Sequence, residues 1–233
     1  MQDKRKGYGR VSVNPSIDAV LFDWDGTLAD SEHITVAALK AAWSHVGAVG
    51  EPPVDQFLAM AGQPAAEILA HMGLPPEALE PYSRTARALV DQTRLFSGAL
   101  ELLTELRNRG VRVGVITGKD RDRIEPTMEF LGVSHLVEAL VTPDDAPAAK
   151  PSPEGVWWLL KELEARPERT VLVGDSAADM HAGRAAGTKT IACLWGTGRA
   201  EALALYEPWK TLTRFSQLAD LLLWLTPAAP SPS

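Results

Sequence analysis

The stretch FDWDGTLADS at residues 22–31 decides how the rest of the chain is read. It closes the apolar run AVLF at 19–22 and sets Asp23 and Asp25 on either side of Trp24, before a glycine, Gly26, that permits a tight turn. Two carboxylates two residues apart repel each other unless a cation intervenes, so the spacing suggests a hard divalent metal. Acidic loops also carry such pairs; the position directly after an apolar strand is what favours the metal.

Working outward, short β-prone runs end in Asp, Gly or Thr and precede longer helical patterns. They are AVLFD at 19–23, VRVGVIT at 111–117, LVEALVT at 136–142, TVLVGD at 170–175 and TIACLW at 190–195. Near-continuous apolar strands alternating with helices predict a doubly wound, Rossmann-like α/β fold with a parallel sheet covered on both faces. Helical spacing runs over 99–110 and 121–132, ending at Gly110 and Gly132, over 153–165 after Pro153, and over 177–187 up to Gly187. Such a sheet receives ligands at the carboxyl ends of its strands.

Residues 33–94 break the alternation. They show helical patterns and no convincing strand, with Gly and Pro breaks at 50–53, 62–64 and 73–76. The predicted organisation is an α/β core over 17–32 and 95–225, an inserted helical cap over 33–94, and flexible tails at 1–16 and 226–233.

Composition bounds the function. The 233 residues are 45% hydrophobic and 23% charged, which argues against wholesale disorder. A net charge of -7 has the wrong sign for nucleic-acid binding. The lone Cys193, in an apolar run, makes neither an internal disulfide nor a zinc cluster and reads as a buried small hydrophobe. No apolar stretch reaches the roughly 18 residues of a membrane span, and the first ten residues lack an apolar signal core. A soluble, cytoplasmic protein with a small-molecule partner is expected, as monomer or homodimer, with no nucleic acid and no membrane.

Three further segments carry polar residues at predicted strand ends. VGDSAADM at 173–180 supplies Asp175 and, one helical turn on, Asp179. A cap for the following helix is the plainer reading there. VITGKDR at 115–121 places Thr117 and Gly118 at a helix start, a natural cradle for an anion. It is not a Walker A loop, because position 113 is Val. AAKPSPE at 148–154 fixes Lys150 beside Pro151.

In this order and at these places, the four segments resemble the haloacid dehalogenase superfamily over essentially residues 17–225. DxDGT matches residues 23–27, the Thr or Ser ending the second strand is Thr117, the lysine is Lys150, and GDxxxD matches Gly174, Asp175 and Asp179. The resemblance implies a magnesium-dependent phosphatase in which Asp23 is the nucleophile and Asp25 the acid and base. It further implies that Mg2+ is held by Asp23, the Asp25 backbone carbonyl and Asp175, with Asp179 nearby, and that Thr117, Gly118 and Lys150 bind the phosphoryl oxygens. Retention of Asp25 argues against dehalogenase and phosphonatase chemistry. The roughly 60-residue insert resembles the small helical cap of the phosphoglycolate-phosphatase-like branch, and the 33 positions from Thr117 to Lys150 leave no room for a large cap.

Substrate contacts are expected from the insert. His33 is a candidate for the leaving group, equally readable as a solvated helix-start histidine, and Gly62 and Gln63 form a helix-breaking loop of the kind this family points at substrate. Arg84, Arg87 and Arg94 are candidates for an anionic substrate, though on a helix they read equally as a solvated face. Trp43 and Trp195 are candidate walls of an apolar pocket. The TGK form of residues 117–119, with seven tryptophans, resembles phosphatases that accompany antibiotic biosynthesis. The substrates in view are a sugar phosphate, phosphoglycolate or a phosphorylated natural-product intermediate. A phosphosugar mutase and a non-catalytic binding protein on the same fold are the rival readings.

Overall fold

The computed structural model describes residues 17–145 and 148–226; the expected tails at 1–16 and 227–233 lie outside the described residues. In chain order the elements are β1 (Ala19–Phe22), β2 (Ala29–Asp30), α1 (Glu32–His45), α2 (Val54–Ala59), α3 (Ala65–His71), α4 (Leu79–Ala88) and β3 (Arg94–Leu95). There follow α5 (Ala99–Asn108), β4 (Arg112–Ile116), α6 (Arg121–Phe130), β5 (Ala139–Val141), α7 (Glu154–Glu162), β6 (Thr170–Gly174), α8 (Ala177–Ala186), β7 (Lys189–Cys193), α9 (Ala200–Ala204), β8 (Lys210–Leu212) and α10 (Phe215–Leu225).

Six strands form one parallel sheet in the order β5-β4-β1-β6-β7-β8. The chain leaves β1 first toward β4 and β5, then returns to its other side for β6, β7 and β8, so the winding reverses around β1. Alternate strand residues face opposite layers. Val20, Phe22, Val113, Val115, Val171 and Val173 pack with α5, α6 and α10, whereas Ala19, Leu21, Ile116 and Leu172 pack with α7 and α8. Full burial of a Leu, Val or Phe side chain contributes roughly 1.5–3 kcal/mol, so both faces hold the sheet strongly.

Register sets the site. Phe22 lies beside Val115 on β4 and Val173 on β6, so the first residues beyond these strands emerge at one level. Asp23, Thr117 and Asp175 follow within two residues of those partners.

Between β1 and α5 the chain forms α1 to α4, which share a separate apolar cluster built on Leu39, Phe57, Ile68, Leu69 and Tyr82. The two chain connections to this insert pair as a short antiparallel ribbon, Ala29 with Leu95 and Asp30 with Arg94. Arg94, read as helical from sequence, therefore belongs to a strand, and its guanidinium caps the carbonyls of Asp91 and Thr93.

Other local departures have simple causes. LVEALVT keeps only Ala139–Val141 as strand, because Ser134–Leu136 winds into a 3-10 turn. β8 is an edge strand of three residues, too short for an alternating pattern to appear in the sequence. Thr226, assigned to the tail from sequence, is buried, and its carbonyl accepts a 2.7 Å hydrogen bond from Arg109. Cys193 is a free thiol, fully buried in the core. Among the described residues no helix is long and apolar enough to cross a membrane.

Candidate active site

Asp23 emerges from β1 into a buried carboxylate cluster. Ligand oxygens of Asp23, Asp175 and Asp179 all lie within 4.8 Å of one another. The three residues come from two strand ends and the first turn of α8, which the parallel register brings together.

One lysine serves two of the three. Lys150 is buried, and its ammonium donates to Asp23 Oδ1 at 2.5 Å, Asp179 Oδ1 at 2.6 Å and the Ile116 carbonyl at 3.0 Å. Asp179 is otherwise engaged at home: its Oδ2 accepts from the Ser176 hydroxyl at 2.5 Å and the Ser176 amide at 3.1 Å, completing the capping box of α8. The helix-cap reading and the cluster reading of this aspartate are thus both true, one for each oxygen.

Asp175 differs. Its Oδ2 accepts from the Thr197 amide at 2.7 Å and the Thr197 hydroxyl at 3.0 Å, while its Oδ1 is buried with no hydrogen-bond partner. A buried carboxylate oxygen left without a donor is costly unless a cation completes it. Glycines crowd the same carboxylate. A Cβ on Gly26 or Gly196 would come within 2.2 or 2.3 Å of Asp175 Oδ2, so neither position admits a side chain.

Electrostatics agree with that arrangement. Burial, and then the charges of Asp179 and Asp175, push the Asp23 carboxyl well above its usual range against the pull of Lys150. Burial and the Asp179 charge raise Asp175 to about 7, against hydrogen bonds from Thr197. Burial opposes the charge on Lys150, but Asp179 and Asp23 outweigh it and hold the lysine protonated. Three carboxylates with one ammonium leave an excess of negative charge, and the donor set is all oxygen, which suits a hard divalent cation such as Mg2+.

Asp25, two residues along, sits in a different field. Its carboxylate is outside the triad, accepting from the Ser31 hydroxyl at 2.5 Å and the Lys119 ammonium at 2.8 Å. Burial favours its neutral form, yet Lys119, Ser31 and the nearby Arg123 outweigh burial and depress its pKa. Its side chain is therefore no member of the metal cluster, which leaves only its backbone carbonyl for the ligand role expected from sequence.

A cavity of about 200 Å³ opens over Asp23 and Asp25. Thr117, Gly118 and Lys119 border it from the core, and the Gly62–Gln63 loop closes it from the insert. Contact between the two is backbone-close: a Cβ on Gly118 would lie 2.4 Å from the Gln63 carbonyl oxygen, and one on Gly62 would lie 2.6 Å from Ser176 Oγ. Gly62 has φ of +86°, a conformation that favours glycine independently.

Several sequence candidates fall elsewhere. His33 is exposed on α1 and does not line the cavity; its neighbours Ile34 and Thr35 do, because the helix turns His33 outward. Trp195 is likewise absent from the lining: its indole donates to the Thr27 carbonyl at 3.1 Å and its ring stacks edge-on to Phe215, bracing the loop behind Asp25. Trp43 donates to the Gly50 carbonyl within the insert, and Trp24 is wholly buried in the core. Arg84 pairs with Glu80 on the surface, whereas Arg87 reaches the cavity and joins Asp122 of α6 at 2.7 Å.

The structure adds residues to the site. Lys119, Ser31, Thr197 and Arg123 each hold or flank a key carboxylate, and only Lys119 had a visible signal, as the third residue of the TGK run. The others depend on contacts across 6 to 98 positions of sequence that no local pattern encodes.

Known proteins place this geometry. The family described as haloacid dehalogenase-like hydrolase matches residues 20–193. Pyrophosphatase PpaX of Bacillus velezensis is 30% identical over 210 residues, covering 88% of this chain and 96% of its own. An N-acetylmuramic acid 6-phosphate phosphatase of Pseudomonas putida is 34% identical over 188 residues, covering 76% and 83%. A haloacid dehalogenase-like hydrolase structure from Bacteroides fragilis superposes with a TM-score of 0.81 at 27% identity, covering 87% of this chain and all of its own. With the match running from β1 through β7 and so spanning every strand-end carboxylate of the site, this chain belongs to the haloacid dehalogenase-like hydrolases.

Proposed function

We propose that the protein is a magnesium-dependent phosphatase that hydrolyses a small organic phosphate monoester through a phosphorylated Asp23. The observation that carries this reading is the buried triad of Asp23, Asp175 and Asp179, with one oxygen of Asp175 unpartnered and Lys150 fixed between the other two. The names of the relatives, a pyrophosphatase and an N-acetylmuramic acid 6-phosphate phosphatase, support hydrolytic phosphoryl transfer in the same fold.

Asp23 and Asp175 would hold the ion, with the Asp25 carbonyl, while Asp179 orients Lys150 and caps α8. When bound, Mg2+ supplies charge that lets a phosphate dianion enter a carboxylate-lined site and offsets charge developing on its oxygens. Asp23 attacks phosphorus from the strand end, and the ester oxygen departs into the cavity. Thr117 and Gly118, on the cavity border, and Lys150, beside Asp23, would supply the hydrogen bonds and positive charge that the non-bridging oxygens of the transferring group need.

Asp25 serves both halves. Held as a carboxylate by Lys119 and Ser31, it is ready to take a proton from the water that hydrolyses the phosphoaspartate. In the first half the Lys119 ammonium, 2.8 Å from Asp25 Oδ1, passes a proton through Asp25 to the leaving oxygen, and in the second half the proton that Asp25 takes from the attacking water returns to Lys119. The insert acts as the cap: it closes the site from above, excludes water and selects the leaving group.

Phosphate release from a panel of esters, with Mg2+ or with chelator, tests this reading. Release that requires the metal and disappears in Asp23→Asn is expected. Dependence on a sugar bisphosphate primer, with phosphate returned to a second hydroxyl, would instead identify a mutase.

A further inference from the structure

The cavity above Asp23 and Asp25 has a largely apolar roof. Ile34, Phe57, Leu58, Ile68 and Tyr82 line it from the insert, all but Leu58 buried, and belong to or adjoin the apolar cluster of α1 to α4. The uncharged edge consists of Thr35, Gln63 and Thr93.

Cations facing this space are already matched. Lys119 is paired with Asp25 at 2.8 Å. Arg123, itself buried, is paired with Asp120 at 2.9 Å, and its guanidinium lies 5.6 Å from the centre of the Tyr82 ring. Arg87 is paired with Asp122 at 2.7 Å, and Asp122 borders the cavity as well. Lys150 is spent on Asp23 and Asp179 below. A substrate bearing a second anion would bring a charge beneath a largely apolar roof whose neighbouring cations each already have a carboxylate partner, and burying a charge without a partner is among the most unfavourable events in a protein interior.

We infer that the leaving group of the substrate is an uncharged alcohol or phenol with an apolar body, and that the roof discriminates against a second phosphate or a carboxylate. This rests on the phosphatase reading of the same site and narrows it. Pyrophosphate, the substrate in the name of one relative, and phosphoglycolate both carry the additional charge that this roof leaves without a partner.

The test compares kcat/KM of the intact protein with Mg2+ for benzyl phosphate, phosphoglycolate and pyrophosphate. A preference for benzyl phosphate of about tenfold or more over either rival with a second anionic group is expected, the scale on which a shaped pocket discriminates. Equal rates, or preference for phosphoglycolate or pyrophosphate, would overturn it. Leu58→Arg places a cation at the half-buried edge of the roof without opening the core; it is expected to raise the ratio of phosphoglycolate to benzyl phosphate turnover at least severalfold, and an unchanged ratio counts against the inference.

Binding separates the two levels of argument. Affinities for benzylphosphonate and 3-phosphonopropionate, neither of which can be hydrolysed at an ester bond, are read by calorimetry with Mg2+ present. If no ester turns over but benzylphosphonate binds about tenfold tighter, the phosphatase reading fails and the assignment of the cavity stands. If esters turn over but 3-phosphonopropionate binds as tightly or more so, the phosphatase stands and the inference fails.

Discussion

The floor and the roof of the cavity are built by opposite means. The floor is a set of strand ends, and its acidic side chains are each held by a hydrogen-bond donor: Asp23 and Asp179 by Lys150, Asp25 by Lys119, Asp175 by Thr197. The roof is a set of helix faces whose inward residues are Ile34, Phe57, Ile68 and Tyr82. A parallel sheet fixes the level of its strand ends through backbone hydrogen bonds, so it can hold repelling carboxylates at defined separations. Helices in a small insert are held largely by apolar contacts, which tolerate substitution as long as volume is kept. On the proposed function, chemistry belongs to the floor and selection to the roof, and this division can be broken from either side.

The sharpest break is at Asp23. Asp23→Asn keeps the shape and removes the nucleophile, so turnover should fall by at least about a thousandfold. The fold should survive, because the change also removes one of three mutually repelling buried carboxylates, and Lys150 retains Asp179. Measured kcat beside circular dichroism and thermal midpoint checks both halves; full activity would remove the covalent route.

That floor was legible in the sequence for a physical reason. A strand that ends in Asp before a glycine turn leaves a local record, and the parallel register does the rest: Phe22 beside Val115 and Val173 is enough to gather Asp23, Thr117 and Asp175. Asp179 was legible because helical spacing puts the third residue of α8 back over its cap. The roof was not. Whether His33 or Ile34 faces the cavity depends on the rotation of α1, which is set by packing against α4 and leaves no mark at residue 33. Trp195 misled for a related reason, since an aromatic residue after a strand reads alike whether it lines a pocket or, as here, braces Thr27 and Phe215. The β2–β3 ribbon was hidden because two residues per strand carry no periodicity.

Removing the cation should distinguish the two regions next. Asp175→Ala is expected to lower the rate about a hundredfold and to abolish the thermal stabilisation by Mg2+, since it deletes the oxygen that lacks a protein partner. In the unaltered protein, Mg2+ at about 100 times its Kd contributes about 2.7 kcal/mol, which in a domain of this size is a rise of about 5–10 °C. The pH sense follows from the direction of the shifts. Asp23 and Asp175 are raised on folding, Asp175 to about 7, so in the absence of metal the folded state loses stability as pH climbs from the ordinary carboxylate range, about 4, through 7. Mg2+ relieves that repulsion, and the stabilisation it gives should be larger at pH 8 than at pH 5. A shift of equal size at both would place the ion away from this cluster.

Lys119 tests the floor more gently. Lys119→Met removes the cation that, with Ser31, outweighs burial at Asp25, so the pKa of Asp25 should rise. The base form needed for hydrolysis of the phosphoaspartate is then lost at higher pH, and the acid limb of the kcat profile should move upward, with the plateau reduced by about tenfold. Lys119→Arg, which keeps the charge, should restore the limb. An unmoved limb in the methionine variant would mean that Lys119 only fills space beside Asp25.

The smallest expected effect lies at the seam between floor and roof. Gly62 rests on Ser176 with φ of +86°, and a methyl added there would sit 2.6 Å from Ser176 Oγ. Gly62→Ala therefore carries both a strained backbone and a contact that can be relieved only by tilting the loop or displacing the Ser176 hydroxyl. Displacing Ser176 would loosen the capping box that holds Asp179, whereas tilting the loop would only widen the cavity. The two outcomes differ in kinetics. A loosened Asp179 lets Lys150 drift and lowers kcat for every ester alike, while a widened roof raises KM for apolar esters by a few-fold and leaves kcat near its original value. The second is expected, because Asp179 is held by the Ser176 amide as well as the hydroxyl and by Lys150 on its other oxygen, whereas the Gly62–Gln63 loop has only short helices, α2 and α3, on either side of it. A uniform fall in kcat would show that roof and floor share one mechanical element at Ser176 and that selection and chemistry are less separable than their construction implies.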